Sequence, residues 1–586
     1  MSHLLREKAR KLLGEEVYLF PRNKKEGAYL VALAYPNTYN VGMSNLGFQS
    51  IYYLLNQETE IDCERFFSPD QEEETEYRRT NTTLFSLESQ TPLNYFDVLA
   101  FSLSFELDYL NILQIMELGK LSFKREERGE EDPLVVAGGP CSFFNPEPLA
   151  EIVDLFFIGE GEEVVVETLK KYLLAKGKGK NKKDILEDLA KIPGVYVPAF
   201  YQPVYEEDGT IKEVKKLVEG VPDRIERRWV QNLDSYKTAS YILTPHTQFG
   251  DMYLLEVSRG CGRHCRFCMA GFCYRPPRRR SLEKVWEMIE EGLVHRNKLG
   301  LVGAAISDYQ YIDELCKKLD QRKAQISVSS LRVDSLSKSL LDSLVKSGNK
   351  TVTIAPEAGS ERLRRVINKG VSEQDIQEAM VMFNQYGINQ IKLYFMLGLP
   401  TETKEDLEEM LALAGKIRDG LTCKARKKVT LGVTPFVPKP FTPFQWEPME
   451  RMKILEEKMK YLQKAVGRQK GLELNFESPR WSVVQGLLAR GDRRLGDVLI
   501  HVYQEKGNYQ SWLKALKNYG LNLDFYLYRE RKRDEVFPWD FLEPALERKY
   551  LWQERERAYQ ELFTSPCVNQ GCNRCGICKG ERNHGN

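Results

Sequence analysis

Short, wholly apolar runs punctuated by turn residues recur from residue 28 to residue 175. Residues 29–34 (YLVALA) end in the turn-rich stretch 36–40, and helix-like text follows over 46–55. The run 98–104 (VLAFSLS) leads into a helix that reaches Leu118. Residues 134–137 (LVVA) stop at Gly138-Gly139-Pro140, and 155–158 (LFFI) stop at Gly159-Glu160-Gly161-Glu162 before another helix. Runs this short suit strands buried on both faces, and their alternation with helices predicts an α/β, doubly wound parallel sheet. Ligands of such sheets sit at the carboxyl ends of the strands, which makes Gly138 and Gly139 candidate cofactor contacts.

A second strand–helix series runs from 251 to about 477. Strand candidates are 253–257, 301–306, 326–329, 351–354, 390–395 and 430–434, with helical stretches such as 283–292 and 405–417 between them. Six βα units predict a complete or partial TIM-like barrel. The expected organisation is a helical arm (1–25), an α/β domain (26–190), a linker with a β-hairpin turning at Glu207-Asp208-Gly209 (191–250), a barrel (251–477), a mostly helical charged region (478–560) and a cysteine-rich tail (561–586).

Lys plus Arg is 85 and Asp plus Glu 84, giving net charge +1, so no chain-wide footprint for nucleic acid exists. With 42% apolar and 11% aromatic residues, global disorder is excluded. The most apolar segment, 96–113, is broken by Asp97, Glu106 and Asp108, so no membrane span is expected. The N-terminus has no apolar core of a signal peptide, and a cytoplasmic location is the simplest expectation. Three local basic groups remain. Residues 176–183 (KGKGKNKK) read as a solvated loop or an RNA contact. Arg275, Arg278, Arg279 and Arg280 read as a phosphate or carboxylate holder or a solvated loop before a helix capped near Ser281. Arg490, Arg493 and Arg494 read as ion-paired surface.

Twelve cysteines are present, eight of them in two groups. Directly after the first strand of the barrel series stand Cys261, Cys265 and Cys268, spaced C-x3-C-x2-C. Three soft thiolates on one loop can hold three irons of a [4Fe-4S] cube and leave the fourth open. With His264 or Cys273 as a fourth ligand, the same loop would close a zinc site. Cys273 otherwise reads as a buried or incidental thiol. At the other end, Cys567, Cys572, Cys575 and Cys578 supply four thiolates, with Gly571, Gly576 and Gly580 giving the loop freedom to wrap. That tail suits structural zinc, with Arg574, Lys579 and Arg582 beside it for RNA, or a second [4Fe-4S] cluster.

The C-x3-C-x2-C spacing, with Phe267 before the third cysteine, resembles the radical S-adenosylmethionine (SAM) superfamily. The resemblance implies that the three cysteines hold the cluster and that SAM chelates its open iron. Electron transfer would then yield a 5′-deoxyadenosyl radical. It further implies SAM contacts at the barrel's strand ends: Ser307 and Asp308 toward the amino group, Ser329 and Arg332 toward ribose or carboxylate, Glu357 toward ribose, and Gly398 and Phe267 toward adenine. Across nearly the whole chain, the ordered segments 35–47, 137–140, 159–162, 274–277, 355–359, 436–446, 488–495 and 538–540 and the terminal cysteines resemble a bacterial family of B12-binding-domain radical SAM proteins. That likeness implies cobalamin in the N-terminal domain, a reductant such as flavodoxin or ferredoxin, and a small radical-SAM-linked partner protein. The D-x-H-x-x-G motif that gives cobalt a histidine is absent, and loop 36–42 (PNTYNVG) has none.

The expected activity is radical modification of an unactivated carbon, completed by cobalamin-dependent methyl transfer, with RNA as a candidate substrate. The enzymatic alternatives are methylthio transfer or a rearrangement without cobalamin. For methylthio transfer the extra cluster would have to be the terminal one, because the N-terminal domain holds just Cys63 and Cys141. From another class, the chain would be a zinc- and RNA-binding protein that senses SAM or B12 without catalysis.

Overall fold

The computed structural model describes residues 2–22, 25–422, 427–505, 507–567, 572 and 574–578; Gly571, Lys579, Gly580 and Arg582 lie outside them. Helix α1 (His3–Gly14) leads into a sheet of β1 (Tyr29–Tyr35), β2 (Ile61–Phe67), β3 (Val98–Ser102), β4 (Leu134–Gly138), β5 (Leu155–Phe157) and β6 (Val195–Tyr196). Its order is β2-β1-β3-β4-β5-β6, parallel except for the β5–β6 pair. The order reverses between β1 and β3, which makes the loops after those two strands the ligand position of a doubly wound sheet. Helices α2 (Leu46–Gln57), α3 (Gln71–Thr80), α4 (Tyr109–Leu118), α5 (Gly161–Gly177) and α6 (Lys182–Leu189) belong to this layer. The hairpin β7 (Tyr201–Tyr205) and β8 (Ile211–Lys216) follows, turning at Gly209 with φ +85°.

The second series forms a parallel, open barrel: β9 (Tyr253–Glu256), β10 (Lys298–Val302), β11 (Gln325–Val328), β12 (Thr351–Glu357), β13 (Gln390–Leu397), β14 (Lys428–Pro435) and β15 (Leu472–Phe476). Two ladders, β9-β10-β11 and β12-β13-β14-β15, meet through the bridge Leu331–Ile354. Helices α7 (Leu282–Leu293), α8 (Ile312–Gln321), α9 (Lys338–Lys346), α10 (Glu373–Gln385), α11 (Lys404–Gly420) and α12 (Met452–Val466) connect the strands. Ser281 caps α7 by accepting the Lys284 N–H at 3.1 Å.

Two sequence expectations shift. The second barrel strand occupies Lys298–Val302 rather than 301–306, and Ile306, which extends the apolar run, is buried in a 3₁₀ turn instead. A seventh strand, β15, joins the barrel edge.

The C-terminal region is mostly helical, with α13 (Pro479–Arg490), α14 (Leu495–Gln504), α15 (Tyr509–Asn518) and α16 (Arg548–Tyr559). One apolar core runs continuously through the sheet, the barrel and this region. The carboxyl edge of the N-terminal sheet faces the barrel. Lys439, after β14, pairs with buried Glu106, which also accepts from Gln485 at 3.1 Å. The Asn145 amide donates to the carbonyls of Ala489 and Gly491 at 3.1 and 2.7 Å. Among the described residues no helix is long and apolar enough to cross a membrane.

Candidate functional site

Strand β9 ends in Glu256, and the chain then makes a loop that carries the three cysteines. Ser258–Arg259 pairs with Arg278–Arg279, and Gly260 (φ +79°) lies so close to the Tyr274 carbonyl that any side chain there would collide. The Cys261 N–H donates to the Ala270 carbonyl at 3.1 Å and the Cys268 N–H to the Cys265 carbonyl at 3.0 Å, so the loop folds back on itself. All three thiols are free. Burial, then the neighbouring Cys265 and Cys261, push the Cys268 thiol up to about 12. The Cys268 thiol therefore ionises only if a cation joins it.

Both ring nitrogens of His264 have partners, Nε2 meeting the Arg275 guanidinium at 3.3 Å. Its Nδ1 meets the Tyr550 hydroxyl at 2.5 Å and the Arg275 guanidinium at 2.8 Å. Burial, with the charges of Arg275, Arg574 and Arg266, pushes its pKa down to about 2, so the ring is neutral. With its ring nitrogens so engaged, His264 does not complete a zinc site. Cys273 is 1% exposed, and burial raises its thiol. Among the described residues no three His, Cys, Asp or Glu side chains are grouped as one metal ion would require. A cube asks each thiol for a separate iron, and three free thiols on one loop fit that demand.

The remaining predicted SAM contacts lie at the ends of consecutive strands. Ser307 Oγ is 2.9 Å from Ser335 Oγ. Asp308 takes a bidentate pair from Arg263 at 2.8 Å, and Arg263 also reaches Asp334 at 2.8 Å. Arg332 binds Asp334 at 3.0 Å and the Lys369 carbonyl at 2.8 Å. Ser329 is exposed just past β11. Glu357, with φ +66°, pairs with Lys369 at 3.1 Å. Gly398 has φ +81°, and a Cβ there would stand 2.7 Å from Glu450 Cβ. Phe267 packs against the small core of Ala358, Met396, Leu399 and Phe436, which ties it to the ends of β12 and β13. Arg263, Asp334 and Lys369 were not singled out from the sequence. Arg263 sits inside the cysteine motif itself, which was the signal for it.

The N-terminal sheet contributes one conspicuous residue, Glu160, in the loop after β5. Its Oε2 accepts from Arg259 at 2.9 Å, from Arg278 at 2.8 Å and from the Val230 N–H at 2.9 Å, and its Oε1 accepts from Arg278 at 2.5 Å. Burial would raise this carboxyl, but the bond from Arg278 and the two guanidinium charges outweigh it and hold the pKa at about 2. Gly139 spends its φ of +100° on a close approach to the Leu103 backbone, and half-buried Gly138 accepts the Leu103 N–H at 2.7 Å. Phe143 and Tyr274 meet edge to face at 5.2 Å. A cavity of about 10 Å³ lies beside these residues, lined by Phe143, Ile158, Arg227, Cys273, Phe441 and Leu542. The order reversal lies elsewhere on this sheet, between β1 and β3. There the Asn45 amide donates to Ser104 Oγ at 3.2 Å and Phe105 is 41% exposed.

Two basic groups are corrected. Arg275, Arg278 and Arg280 are at most 8% exposed. Arg280 binds Glu256 and Thr238 at 2.9 Å and the Tyr236 carbonyl at 2.7 Å, so these guanidinium groups are consumed inside the protein and hold no outside phosphate. Arg490 is not surface: it is 1% exposed and donates to the Glu447 carbonyl at 2.6 Å, while Arg493 and Arg494 pair with Glu147 and Asp492. In the 176–183 stretch, Lys176 pairs with Asp97 and Lys182 with Asp154.

A family model for the N-terminal region of radical SAM proteins matches residues 47–198, and the radical SAM superfamily model matches 255–414. A protein of Methanocaldococcus jannaschii without an assigned activity is 34% identical over 85% of this chain and 96% of its own length. The chain belongs to the radical SAM superfamily. It is therefore an enzyme of SAM and iron–sulfur chemistry. A Pyrococcus horikoshii protein named as an uncharacterised methyltransferase is 25% identical over 49% of this chain and 59% of that one. A threonylcarbamoyladenosine tRNA methylthiotransferase of Aquifex aeolicus is 23% identical over 43% and 62%. Among solved structures, the radical SAM methyltransferase TsrM of Kitasatospora setae, with cobalamin and a [4Fe-4S] cluster bound, aligns over 84% of this chain and 100% of that one. The identity is 13% and the TM-score 0.47, a likeness too slight to carry an argument.

Proposed function

We propose that this radical SAM enzyme transfers a methyl group to an unactivated substrate carbon, with Cys261, Cys265 and Cys268 holding a [4Fe-4S] cluster and cobalamin seated at the order reversal of the N-terminal sheet. The cluster with SAM bound supplies one-electron cleavage of SAM to a 5′-deoxyadenosyl radical. In this reading, Arg332 and Lys369 offer positive charge for the methionine carboxylate, and Asp308 and Glu357 offer acceptors for its amine and ribose. Phe267, Met396 and Leu399 supply an apolar wall for adenine. Asn45, Ser104 and Phe105 would border the cobalamin seat, and loop 36–42 brings no histidine to it.

One observation carries the preference for methyl over methylthio transfer. Cys63 and Cys141 are 0% and 4% exposed, each locked into the core of the N-terminal domain, so the extra cluster of a methylthio transfer could only be the terminal one, where four thiols leave no iron open to carry sulfur. The names of the Pyrococcus and Aquifex relatives bracket these two reactions. RNA as substrate loses the support of Arg275, Arg278, Arg280 and Arg490, all buried. The tail cysteines complete the reading as a second metal site, taken up below.

The test is anaerobic reconstitution with iron, sulfide and cobalamin, followed by SAM and dithionite. Expected are 5′-deoxyadenosine, cobalt near one per chain, and no SAM cleavage by Cys265→Ala. Cleavage by wild type without bound cobalt would move the reaction to cobalamin-free radical chemistry, and absence of cleavage would overturn the reading.

A further inference from the structure

The described part of the tail, which carries Cys567, Cys572, Cys575 and Cys578, packs on the protein. It is laid against the loop of the SAM cluster. The Cys567 N–H donates to the Gly262 carbonyl at 2.7 Å, and Gly262 is the residue after Cys261. A Cβ on Gly262 would stand 3.8 Å from Cys567 Cβ. Arg266, between Cys265 and Cys268, donates to the Leu562 carbonyl at 2.7 Å. The Asn368 amide bridges the carbonyls of His264 and Thr564 at 3.1 and 3.0 Å, and accepts the Thr564 N–H at 2.8 Å. At the N-cap of α16, the Glu547 N–H donates to the Cys575 carbonyl at 3.0 Å. Cys575 is 5% exposed, whereas Cys567, Cys572 and Cys578 are half-buried and within reach of the surface. Arg574 lies 3.4 Å from the Cys572 sulfur.

We propose that the four tail thiols hold an iron–sulfur cluster that is the entry point for the electron used at the SAM cluster. This rests on the reading of the Cys261, Cys265 and Cys268 loop given above. Four protein thiolates leave no open iron, so such a centre carries charge without binding substrate. Zinc in the same place would be redox-silent. The balance is one electron per SAM. A donor protein of the flavodoxin or ferredoxin class gives up one electron to the tail cluster. The tail cluster returns to its oxidised state as that electron passes to the SAM cluster, and SAM cleavage to methionine and the 5′-deoxyadenosyl radical consumes it. No bond at the tail forms or breaks. One hydrogen bond and one peptide unit connect the Cys567 backbone to that of Cys261.

The experiment compares full-length holoenzyme with Cys567→Ser and Cys572→Ser. Wild type is expected to hold about eight irons per chain and each variant about four. SAM cleavage is driven either by reduced flavodoxin or by dithionite, which is small enough to reach the SAM cluster directly. In the variants the flavodoxin-driven rate should fall at least about tenfold and the dithionite-driven rate stay within about twofold. About four irons with one zinc in wild type would overturn the proposal. So would equal losses with both reductants, or no loss with flavodoxin. If wild type cleaves no SAM with either reductant, the loop reading fails and the relay with it, while an iron count near eight would still leave a cluster in the tail.

Discussion

Glu160→Gln tests whether the N-terminal domain holds the cysteine loop in place. The substitution keeps the side chain's size and removes its charge. In the wild type that carboxylate is the shared partner of Arg259, two residues before Cys261, and of Arg278, and its side chain is 5% exposed. The magnitude follows from the structure in two ways. The drop in carboxyl pKa from 4.5 to about 2 corresponds to about 3 kcal/mol. Breaking one side of a buried ion pair costs about 3–5 kcal/mol, because the guanidinium groups stay behind without their partner. The sign with pH is fixed. A carboxyl depressed on folding contributes stability that is fully present above its unfolded pKa and is lost as pH falls through the folded value. Urea unfolding followed by far-UV circular dichroism should show the variant about 3 kcal/mol weaker at pH 7. The gap should narrow below pH 4.5 and close toward pH 2. A gap under about 1 kcal/mol at pH 7, the size of an exposed pair, or one that persists unchanged in acid, would refute the reasoning.

Tyr550→Phe removes the hydroxyl that meets His264 and should cost about 1–2 kcal/mol, with fewer irons retained after gel filtration of the reconstituted protein; wild-type iron retention would show that the helix does not brace the loop. Gly398→Ala forces φ +81° on a residue with a side chain and drives its Cβ into Glu450. It should destabilise by about 1–3 kcal/mol and weaken SAM binding in equilibrium dialysis, and unchanged SAM affinity would separate Gly398 from the adenine site. The double variant Cys63→Ala, Cys141→Ala should keep the iron content and SAM cleavage of wild type, and loss of about four irons would instead place a cluster in the N-terminal domain.

The parts legible in the sequence were those whose signal is local. The cysteine spacing sits in one loop, and the apolar runs of β1, β3, β4 and β5 are short and uninterrupted because both faces of that sheet are buried. Strand β15 was missed for the converse reason. Leu472-Glu-Leu-Asn-Phe476 alternates, as an edge strand with one open face must, and no apolar run marks it. The slip at β10 came from Ile306, an apolar residue that extends the run but is buried by a turn. Charge was the least legible property. A sequence shows Arg278 and Arg280 as part of a basic patch because their acceptors, Glu160, Thr238 and the backbone of 233–236, lie far along the chain.

That same long range decides how the radical site is built. Glu160 and Glu256 hold Arg259 and its neighbours on one side of the cysteine loop, and Glu554 holds Arg266 on the other across 288 residues of sequence. Each guanidinium is buried, so each becomes a cost of several kcal/mol when its carboxylate is absent. A barrel cut out at 251–477 would leave Arg259, Arg266 and Arg278 without Glu160 or Glu554, beside the three thiols. The N-terminal sheet and the C-terminal helix are thus parts of the site itself. The loop can be rigid enough to position a cluster only when the polypeptide on both sides of the barrel has folded onto it.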